Sequence, residues 1–305
     1  MGTTICPSTH DPLALVLTVG VTIGIIVSYL PQHFRIVTKR SSEGLSPWFL
    51  LLGSTSCAAG MLNVVALQWP VIKCCHQVSA GLCLENLGGV FQVVIQWCLF
   101  TTTLVLFLVF YPPHLKYAEI QPESEPFLGQ STKPYRSTTA EWKLAVTLFC
   151  IVAFHVTLCA VVTALLVKNS ESSTFMIWTT FLGLSSALCS AFQFIPQIYK
   201  TWRLKLVGSL SIVTMCIQSP GAAVMCLSIA IRPGTNWTSW LTYAAAGCLQ
   251  SILLTMCLIW KQRQARLGID DFGRPPSLDE DLTPVGTAPN DHDTEDERSP
   301  LLAGS

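Results

Sequence analysis

The sequence has few charged residues, and most of them lie in a few short stretches. Only 12% of the 305 residues are Asp, Glu, Lys or Arg, whereas 50% are hydrophobic and the mean hydropathy is +0.50. A soluble domain of this size would need many more charged residues to cover its surface. The composition therefore excludes a soluble globular protein and indicates a membrane protein.

The sequence also lacks the patterns by which enzymes are usually recognised. No apolar run carries a nucleophile, a base and an orienting group at usable spacing, and no nucleotide-binding or zinc-binding motif occurs. We therefore expect no enzymatic activity, no cofactor, no metal and no nucleic-acid partner.

Long apolar runs are abundant, and each has the length of about 20 residues that a helix needs to cross ~30 Å of hydrocarbon. Because a backbone in lipid must satisfy its own hydrogen bonds, we predict that each run is helical. None contains Asp or Glu, which argues against proton coupling through an intramembrane carboxylate and against a strongly cationic substrate. The runs cover 12–31, 47–68, 87–110, 142–167, 174–198, 209–231 and 237–260.

Basic residues indicate the orientation in the membrane. Lys and Arg follow the first, third, fifth and seventh runs, whereas the opposite loops hold only Lys73, Lys168 and Arg232. The excess of basic residues predicts the cytosolic side, so the N-terminus, 1–11, is luminal and the tail is cytosolic. Asn236, in an Asn-Trp-Thr sequon, falls on the luminal side as a candidate glycosylation site.

One stretch of the sequence occurs twice at an offset of 165 residues. The first copy reads YLPQHFRIVTKRSSEGLS (29–46) and the second reads FIPQIYKTWRLKLVGSLS (194–211). Such repetition indicates a duplicated unit. Both copies end a run on the cytosolic side, which predicts two repeats of the same orientation. The predicted layout is a first three-helix repeat at 12–110, a linker helix at 142–167 and a second three-helix repeat at 174–262.

Because of these two Pro-Gln motifs, the chain resembles the PQ-loop transporters. This family is similar in architecture to cystinosin, the vacuolar and lysosomal basic amino-acid exporters and the SWEET sugar facilitators. The resemblance spans about 12–262. It implies an all-helical membrane protein with seven transmembrane helices and a small-molecule substrate near the midplane between parallel repeats.

The resemblance also implies a function. We expect a transporter of a small polar organic solute, with an amino acid as the first expectation, which works by alternating access in a vacuolar, lysosomal or endosomal membrane. Two alternatives remain open. One is a non-transporting membrane protein that regulates phospholipid asymmetry or membrane traffic, and the other is a sugar facilitator.

The repeated prolines are candidate hinges. Proline lacks an N–H and leaves a carbonyl unpaired in a helix, at a cost of ~3 kcal/mol in a helix interior. The neighbouring glutamines can donate to freed carbonyls and accept from a neighbouring helix. The alternative is that Pro-Gln only ends a helix. The hinge candidates are Pro31, Gln32, Pro196 and Gln197, with Pro220 as a further bend.

Polar residues within the runs are candidate substrate ligands, because the bilayer makes them costly. Gln96 and Gln250 fall near the midplane of corresponding helices, and the resemblance implies that amides there touch substrate. Further candidates are Trp97 as a stacking wall, Gln92, Asn63 and Ser228. The alternative role is interhelical hydrogen bonding. His155 on the linker helix is interpreted as a packing residue or a proton relay.

Small residues predict close helix contacts. Gly20-x-x-x-Gly24 and Gly183-x-x-x-Ala187 allow close approach, and we expect it within each repeat, with a homodimer contact as the alternative. One disulfide is expected among the luminal cysteines. Those cysteines are Cys6, Cys74, Cys75 and Cys83.

Two segments have compositions typical of disorder. These are the cytosolic loop at 111–141 and the acidic tail at 263–305. Near its end the tail reads Glu-Arg-Ser-Pro-Leu-Leu, in which Glu297, Leu301 and Leu302 resemble an acidic dileucine sorting signal. Clathrin adaptors are the expected partner of this signal.

We expect the dileucine to set the membrane in which the protein resides. Replacing Leu301 and Leu302 together by alanine should move a fluorescently tagged protein to the cell surface, because adaptor binding is lost. The matched control replaces Leu278 and Leu282, two other leucines of the tail, and should leave the location unchanged. An unchanged location of the Leu301/Leu302 double variant would contradict the sorting role.

Overall fold

Long helices build most of the chain. The computed structural model describes residues 12–120, 135–230 and 237–275. Long helices lie at the positions of all the predicted apolar runs. They are α1 (Pro12–Lys39), α2 (Pro47–Leu67), α5 (Gly88–Val109), α7 (Ala140–Leu166), α8 (Ser173–Phe192) continued by α9 (Phe194–Leu204), α10 (Ile212–Ala230) and α11 (Trp237–Leu267).

Five of these helical segments, among the described residues, are long and apolar enough to cross a membrane. They cover Pro47–Leu67, Gly88–Val109, Ala140–Asn169, Ser173–Leu204 and Ala244–Leu267. The predicted multi-pass membrane character is confirmed. The exact count of seven crossings in a 3+1+3 layout stays a prediction.

Short elements connect the long helices. Between α2 and α5 lie α3 (Trp69–Cys74) and α4 (Ala80–Asn86), whose connection is closed by a disulfide between Cys75 and Cys83. A 3₁₀ turn, Val167–Asn169, follows α7. The disulfide joins two of the four cysteines predicted to be luminal, whereas Cys6 lies outside the described residues.

The serine that ends each copy of the repeated stretch begins a helix. Ser46 Oγ accepts a hydrogen bond from Phe49 N at the start of α2, and Ser211 Oγ accepts one from Thr214 N at the start of α10. Serine suits this position because its hydroxyl satisfies an N–H that has no partner inside the helix. The repeated sequence therefore specifies the same helix start twice.

The long helices pack as two groups of three that face each other. In one group α5 lies against both α1 and α2, and in the other α11 lies against α8, α9 and α10. The groups meet where α2 packs on α8 and where α1 packs on α10. Helix α7 lies against the outer side of α2.

Small residues make the contact between the groups at α2 and α8. Ser56 Oγ donates to Ser186 O at 2.8 Å, and Ser186 Oγ donates to Ser56 O at 2.9 Å. Gly183 also lies here, with Asn63 of α2 as its nearest side chain. Our expectation of close packing within each repeat was therefore wrong for Gly183, because its neighbour belongs to the other group. No described residue lies within 4 Å of a Cβ added at Gly20 or Gly24.

Parts of the two segments predicted to be disordered are ordered. After the short helix α6 (Pro113–Lys116), strand β1 (Tyr117–Ile120) pairs antiparallel with β2 (Tyr135–Thr138), so the prediction for 111–141 was too broad and the fold is not purely helical. In the tail, residues 268–275 are ordered by contacts with loop B and with the end of α11. In both places, backbone pairing or side-chain contacts supply the order that composition alone did not indicate.

Two glycine turns meet at the end of the bundle that carries the repeated loops. We call residues 40–46 loop A and residues 205–211 loop B. Gly44 has φ +94° and Gly208 has φ +60°, a region that favours glycine. A Cβ on Gly208 would lie 2.5 Å from Glu43 O and 3.0 Å from Gly44 Cα. The two loops therefore approach backbone to backbone.

We expect Gly208→Ala to destabilise the protein by more than about 2 kcal/mol, because the added methyl combines an unfavourable φ with a clash against backbone. Thermal unfolding of the purified protein in detergent measures this loss. Gly268→Ala is the control, since Gly268 has φ +62° and nothing within 4 Å of an added Cβ. Equal losses in the two variants would contradict the importance of the loop contact.

Candidate functional site

Gln32 joins the first repeat to loop B. Its Nε2 donates to Ser209 O at 2.9 Å, and its Oε1 accepts from Ser211 N at 2.7 Å. The side-chain amide thus binds the backbone in the way that a neighbouring strand would. Gln32 is buried, so these hydrogen bonds are shielded from competing water.

Gln197 makes the corresponding contacts from the second repeat to loop A. Its Nε2 donates to Gly44 O at 2.9 Å, and its Oε1 accepts from Ser46 N at 2.7 Å. Its Nε2 also donates to Thr201 Oγ1 at 3.1 Å. Each glutamine therefore holds the loop of the other repeat, an arrangement that we call the glutamine clamp. The sequence predicted polar contacts for both glutamines but not the crossing between repeats.

Additional contacts close this end of the bundle. Ser209 N and Ser209 Oγ both donate to Glu43 O at 2.8 Å. Arg35 Nη2 donates to Gly208 O at 2.6 Å, and Lys200 Nζ donates to Leu45 O at 2.9 Å. Arg35 and Lys200 hold matching positions in the two copies, so this part of the clamp is also repeated. The buried residues of loops A and B form a packed layer.

The candidate hinge prolines have different surroundings. Pro31 lies inside the continuous helix α1, whereas Pro196 lies just beyond the break at Gln193 between α8 and α9. Pro220 lies within α10. The two copies of the motif therefore differ in the continuity of their helices, and the hinge role stays a prediction.

The chain beyond α11 folds back onto loop B. Asp271 O accepts from Gly208 N at 2.9 Å, and the Asp271 carboxylate forms ion pairs with Arg35 at 2.6 Å and Lys261 at 2.5 Å. Asp270 caps the turn by accepting from Phe272 N and Arg274 N. We call residues 268–275 the tail clasp. Their order corrects the prediction that the whole of 263–305 is disordered.

The charge of Asp271 is stabilised by its partners. Burial alone would raise the pKa of Asp271, but hydrogen bonds and positive charge from Lys261 and Arg35 outweigh it, so the pKa lies below its ordinary value. A carboxyl group with a lowered pKa stabilises the fold above its ordinary pKa and loses that contribution only as the pH falls towards the lowered value. The Asp271 carboxylate is therefore charged at neutral and mildly acidic pH.

A cavity of about 530 Å³ lies between the two groups of helices. Its polar lining consists of hydroxyl, amide and thiol groups, and none of the lining residues is charged. They include Tyr29, Ser56, Asn63, Gln96, Ser186 and Gln193. Such a lining can donate and accept hydrogen bonds but cannot compensate a net charge on a ligand.

An aromatic cluster contributes to the cavity wall and continues between the repeats. Phe100 and Tyr29 line the cavity with their ring centroids 6.4 Å apart. Phe49 lies 5.9 Å from Phe100 and 5.6 Å from Phe194, centroid to centroid. Because Phe49 and Phe194 come from different repeats, this cluster is a further inter-repeat contact beside the glutamine clamp and the Ser56–Ser186 contact.

The structure brings only some of the predicted substrate ligands together. Gln96 and Asn63 line the cavity, and the Gln96 amide lies beside Tyr29. Gln250 is buried elsewhere, where its Nε2 donates to Gln218 Oε1 at 2.9 Å. Substrate binding by each of these residues stays a prediction.

Other predicted residues lie away from the cavity lining or outside the described part of the chain. Gln92 donates to Thr18 O at 3.1 Å, Trp97 is half-buried, and His155 on α7 contacts Cys159 of its own helix. The side chain of Ser228 lies outside the described part, although α10 includes its backbone. Asn236, Glu297, Leu301 and Leu302 also lie outside the described residues.

Several cavity residues escaped the sequence analysis. Ser56 and Ser186 are common residues in membrane helices, and their mutual contact joins positions 130 residues apart. Tyr29 and Gln193 each precede a Pro-Gln motif by a few residues, and this shared placement is the signal that could have identified them. Gln218 could have been found as a further intramembrane amide.

Comparisons with known proteins agree with the internal duplication. The family model described as "PQ loop repeat" matches residues 13–73 and 178–238. A relative from Schizosaccharomyces pombe, "Uncharacterized protein C4C5.03", is 34% identical over 258 residues, which cover 82% of each chain. The chain belongs to the PQ-loop repeat family. Its two PQ-loop motifs are the ones that form the glutamine clamp.

We expect Asp271→Asn to lower the stability of this PQ-loop protein by about 1 kcal/mol, since partly exposed ion pairs contribute modestly. Thermal unfolding in detergent measures the change. The difference from the native protein should stay constant from neutral to mildly acidic pH and shrink only below the ordinary carboxyl pKa of about 4, as the pH falls towards the lowered pKa of the native Asp271.

Asp270→Asn is the control for this experiment, because asparagine can still accept the turn hydrogen bonds and the ion pairs of Asp271 are untouched. A loss in Asp270→Asn equal to that in Asp271→Asn would contradict the role of the ion pairs. A stability difference that already disappears near pH 6 would contradict the lowered pKa.

Proposed function

We propose that the protein transports a small polar solute with no net charge, with a neutral amino acid as the first candidate, across an endomembrane by alternating access. The observation that carries the proposal is the uncharged, hydrogen-bonding cavity between the two repeats. Its volume of about 530 Å³ falls within the range of small-molecule sites. No charged side chain lines it, which disfavours a strongly cationic or anionic solute.

Gln96 is the residue best placed to orient such a solute. A primary amide offers two donors and an acceptor, which can pair with the carboxylate and ammonium groups of a zwitterion without titrating. Tyr29 and Asn63 add further polar groups to the same cavity. Uptake through this site should therefore depend little on pH.

The glutamine clamp supplies one closed end for alternating access. To open this end, loops A and B must separate and the hydrogen bonds of Gln32 and Gln197 must exchange with water. The groups that Gln32 and Gln197 release are amide and backbone groups, which water can satisfy. Arg35 and Lys200 also lose a backbone acceptor each, and Arg35 keeps its ion pair with Asp271. The neighbouring prolines are placed to bend as the packed layer opens.

The proposed setting is a vacuolar, lysosomal or endosomal membrane, with the clamp end facing the cytosol. This orientation is supported by the basic residues that cluster in and near loops A and B, including Arg35, Lys39, Arg40, Lys200, Arg203 and Lys205. The dileucine at the end of the tail then faces the cytosolic adaptors.

We expect Gln96→Leu to lower the initial rate of uptake into proteoliposomes at least about tenfold, because leucine cannot replace a polar contact to the solute. The assay uses a radiolabelled panel of neutral amino acids, basic amino acids and hexoses. Gln92→Leu is the matched control. It removes an amide from the same helix, but this amide donates to Thr18 O and does not line the cavity.

Two results would overturn the proposal. The first is that no solute in the panel moves, and the second is that Gln96→Leu transports at the native rate. Preferential uptake of hexoses would replace the amino-acid candidate by the sugar facilitator. A steep dependence of the uptake rate on acidic pH would contradict a binding site whose polar groups do not titrate.

A further inference from the structure

A second cavity, which we call the side crevice, lies at the clamp end of the bundle, where both repeats meet α7. It has a volume of about 600 Å³ and lies among the starts of α2 and α7, the end of α5 and helix α9. Lys200, Arg203 and Glu141 are its charged residues. The side crevice therefore carries one more positive than negative side chain.

The side crevice can be compared with the corresponding place in the first repeat. Lys200 occupies the position in the second motif that Arg35 occupies in the first, and each donates to a backbone carbonyl in the loop of the other repeat. On the Arg35 side, the Asp271 carboxylate of the tail clasp binds the cation directly. On the Lys200 side, the structure describes no direct ion pair: the Glu141 and Glu43 carboxylates act on the ammonium only through their charge, and the side crevice lies beside it.

Lys200 and Arg203 are arranged to hold an anion in that place. They are three residues apart on α9, so their side chains share one face of the helix. Lys200 Nζ uses one hydrogen bond on Leu45 O and has two further donors. The Arg203 side chain is exposed, and its planar guanidinium can donate two hydrogen bonds to phosphate oxygens.

The rim of the side crevice indicates that the anion belongs to a lipid. Trp48 is 46% exposed, Tyr199 is 63% exposed and Leu204 is 44% exposed. These residues stand where the apolar segments Pro47–Leu67 and Ser173–Leu204 begin or end, the depth at which aromatic side chains favour the membrane interface. Basic pockets between helices at this depth suit anionic headgroups.

We propose that the side crevice binds the phosphate group of an anionic phospholipid from the leaflet at the clamp end, with Lys200 and Arg203 as its ligands. The phosphate takes the place that the Asp271 carboxylate takes beside Arg35. Glu141 lies in the same cavity and opposes the bound anion. The acyl chains lie along the exposed apolar rim.

The test titrates the purified full-length protein with short-chain phosphatidylinositol, short-chain phosphatidylcholine and inorganic phosphate in detergent. The dissociation constant is obtained from the rise of the unfolding midpoint with ligand concentration. We expect phosphatidylinositol to stabilise the native protein, phosphatidylcholine to have little effect, and inorganic phosphate to bind much more weakly. Arg203→Gln and Lys200→Gln should each weaken phosphatidylinositol binding about fivefold.

Two further variants keep the test decisive if Lys200→Gln unfolds. Glu141→Gln should strengthen phosphatidylinositol binding, because it removes the opposing charge. Arg266→Gln, which removes an exposed cation near the end of α11, should leave the binding unchanged. Equal weakening in Arg266→Gln and Arg203→Gln would overturn the site, as would unchanged binding in Arg203→Gln. Equal stabilisation by inorganic phosphate would overturn the lipid as the source of the anion.

Discussion

The pairing of each repeat's glutamine with the backbone of the other repeat is the contact on which this architecture depends. Gln32 and Gln197 each use both the oxygen and the nitrogen of the amide, so each fixes two backbone groups of a loop that has no regular secondary structure. The fixed loops in turn place Ser46 and Ser211 where they begin α2 and α10. The local geometry of the loops and the assembly of the two helix groups therefore rely on the same four hydrogen bonds.

The two repeats share this pairing but use charge differently around it. Arg35 is neutralised by a direct ion pair with a carboxylate supplied from beyond the last helix, whereas Lys200 lines the side crevice together with Glu141. The backbone symmetry is thus combined with a chemical asymmetry between the two sides of the clamp. Duplicated domains can diverge in this way because the hydrogen bonds that assemble them lie in the backbone and in two glutamines, which leaves the neighbouring positions free to change.

Sequence patterns predicted the membrane character, the helix positions and the repeated motif, because these depend on local apolar runs and on repetition. Contacts between distant residues were less predictable. Gln32 and Ser209 are 177 residues apart, and Arg35 and Asp271 are 236 residues apart, so composition around either partner carries no sign of the other. The same limit applies to Gln250, whose depth in the membrane gave no sign that its amide donates to Gln218. Depth can be counted along a helix, but the direction of a side chain depends on how the helices pack.

The crossed pairing also means that one repeat is self-complementary. A single unit carries both the glutamine that reaches out and the loop that another glutamine would bind. Two identical copies related by a twofold axis could therefore make both contacts at once, as in an isologous dimer. The close approach of Gly44 and Gly208 suits such an axis, since equivalent backbones meet where symmetry leaves no room for side chains. The covalent link through α7 holds the two halves at a fixed stoichiometry, and it allows one half to carry the tail clasp while the other presents the side crevice.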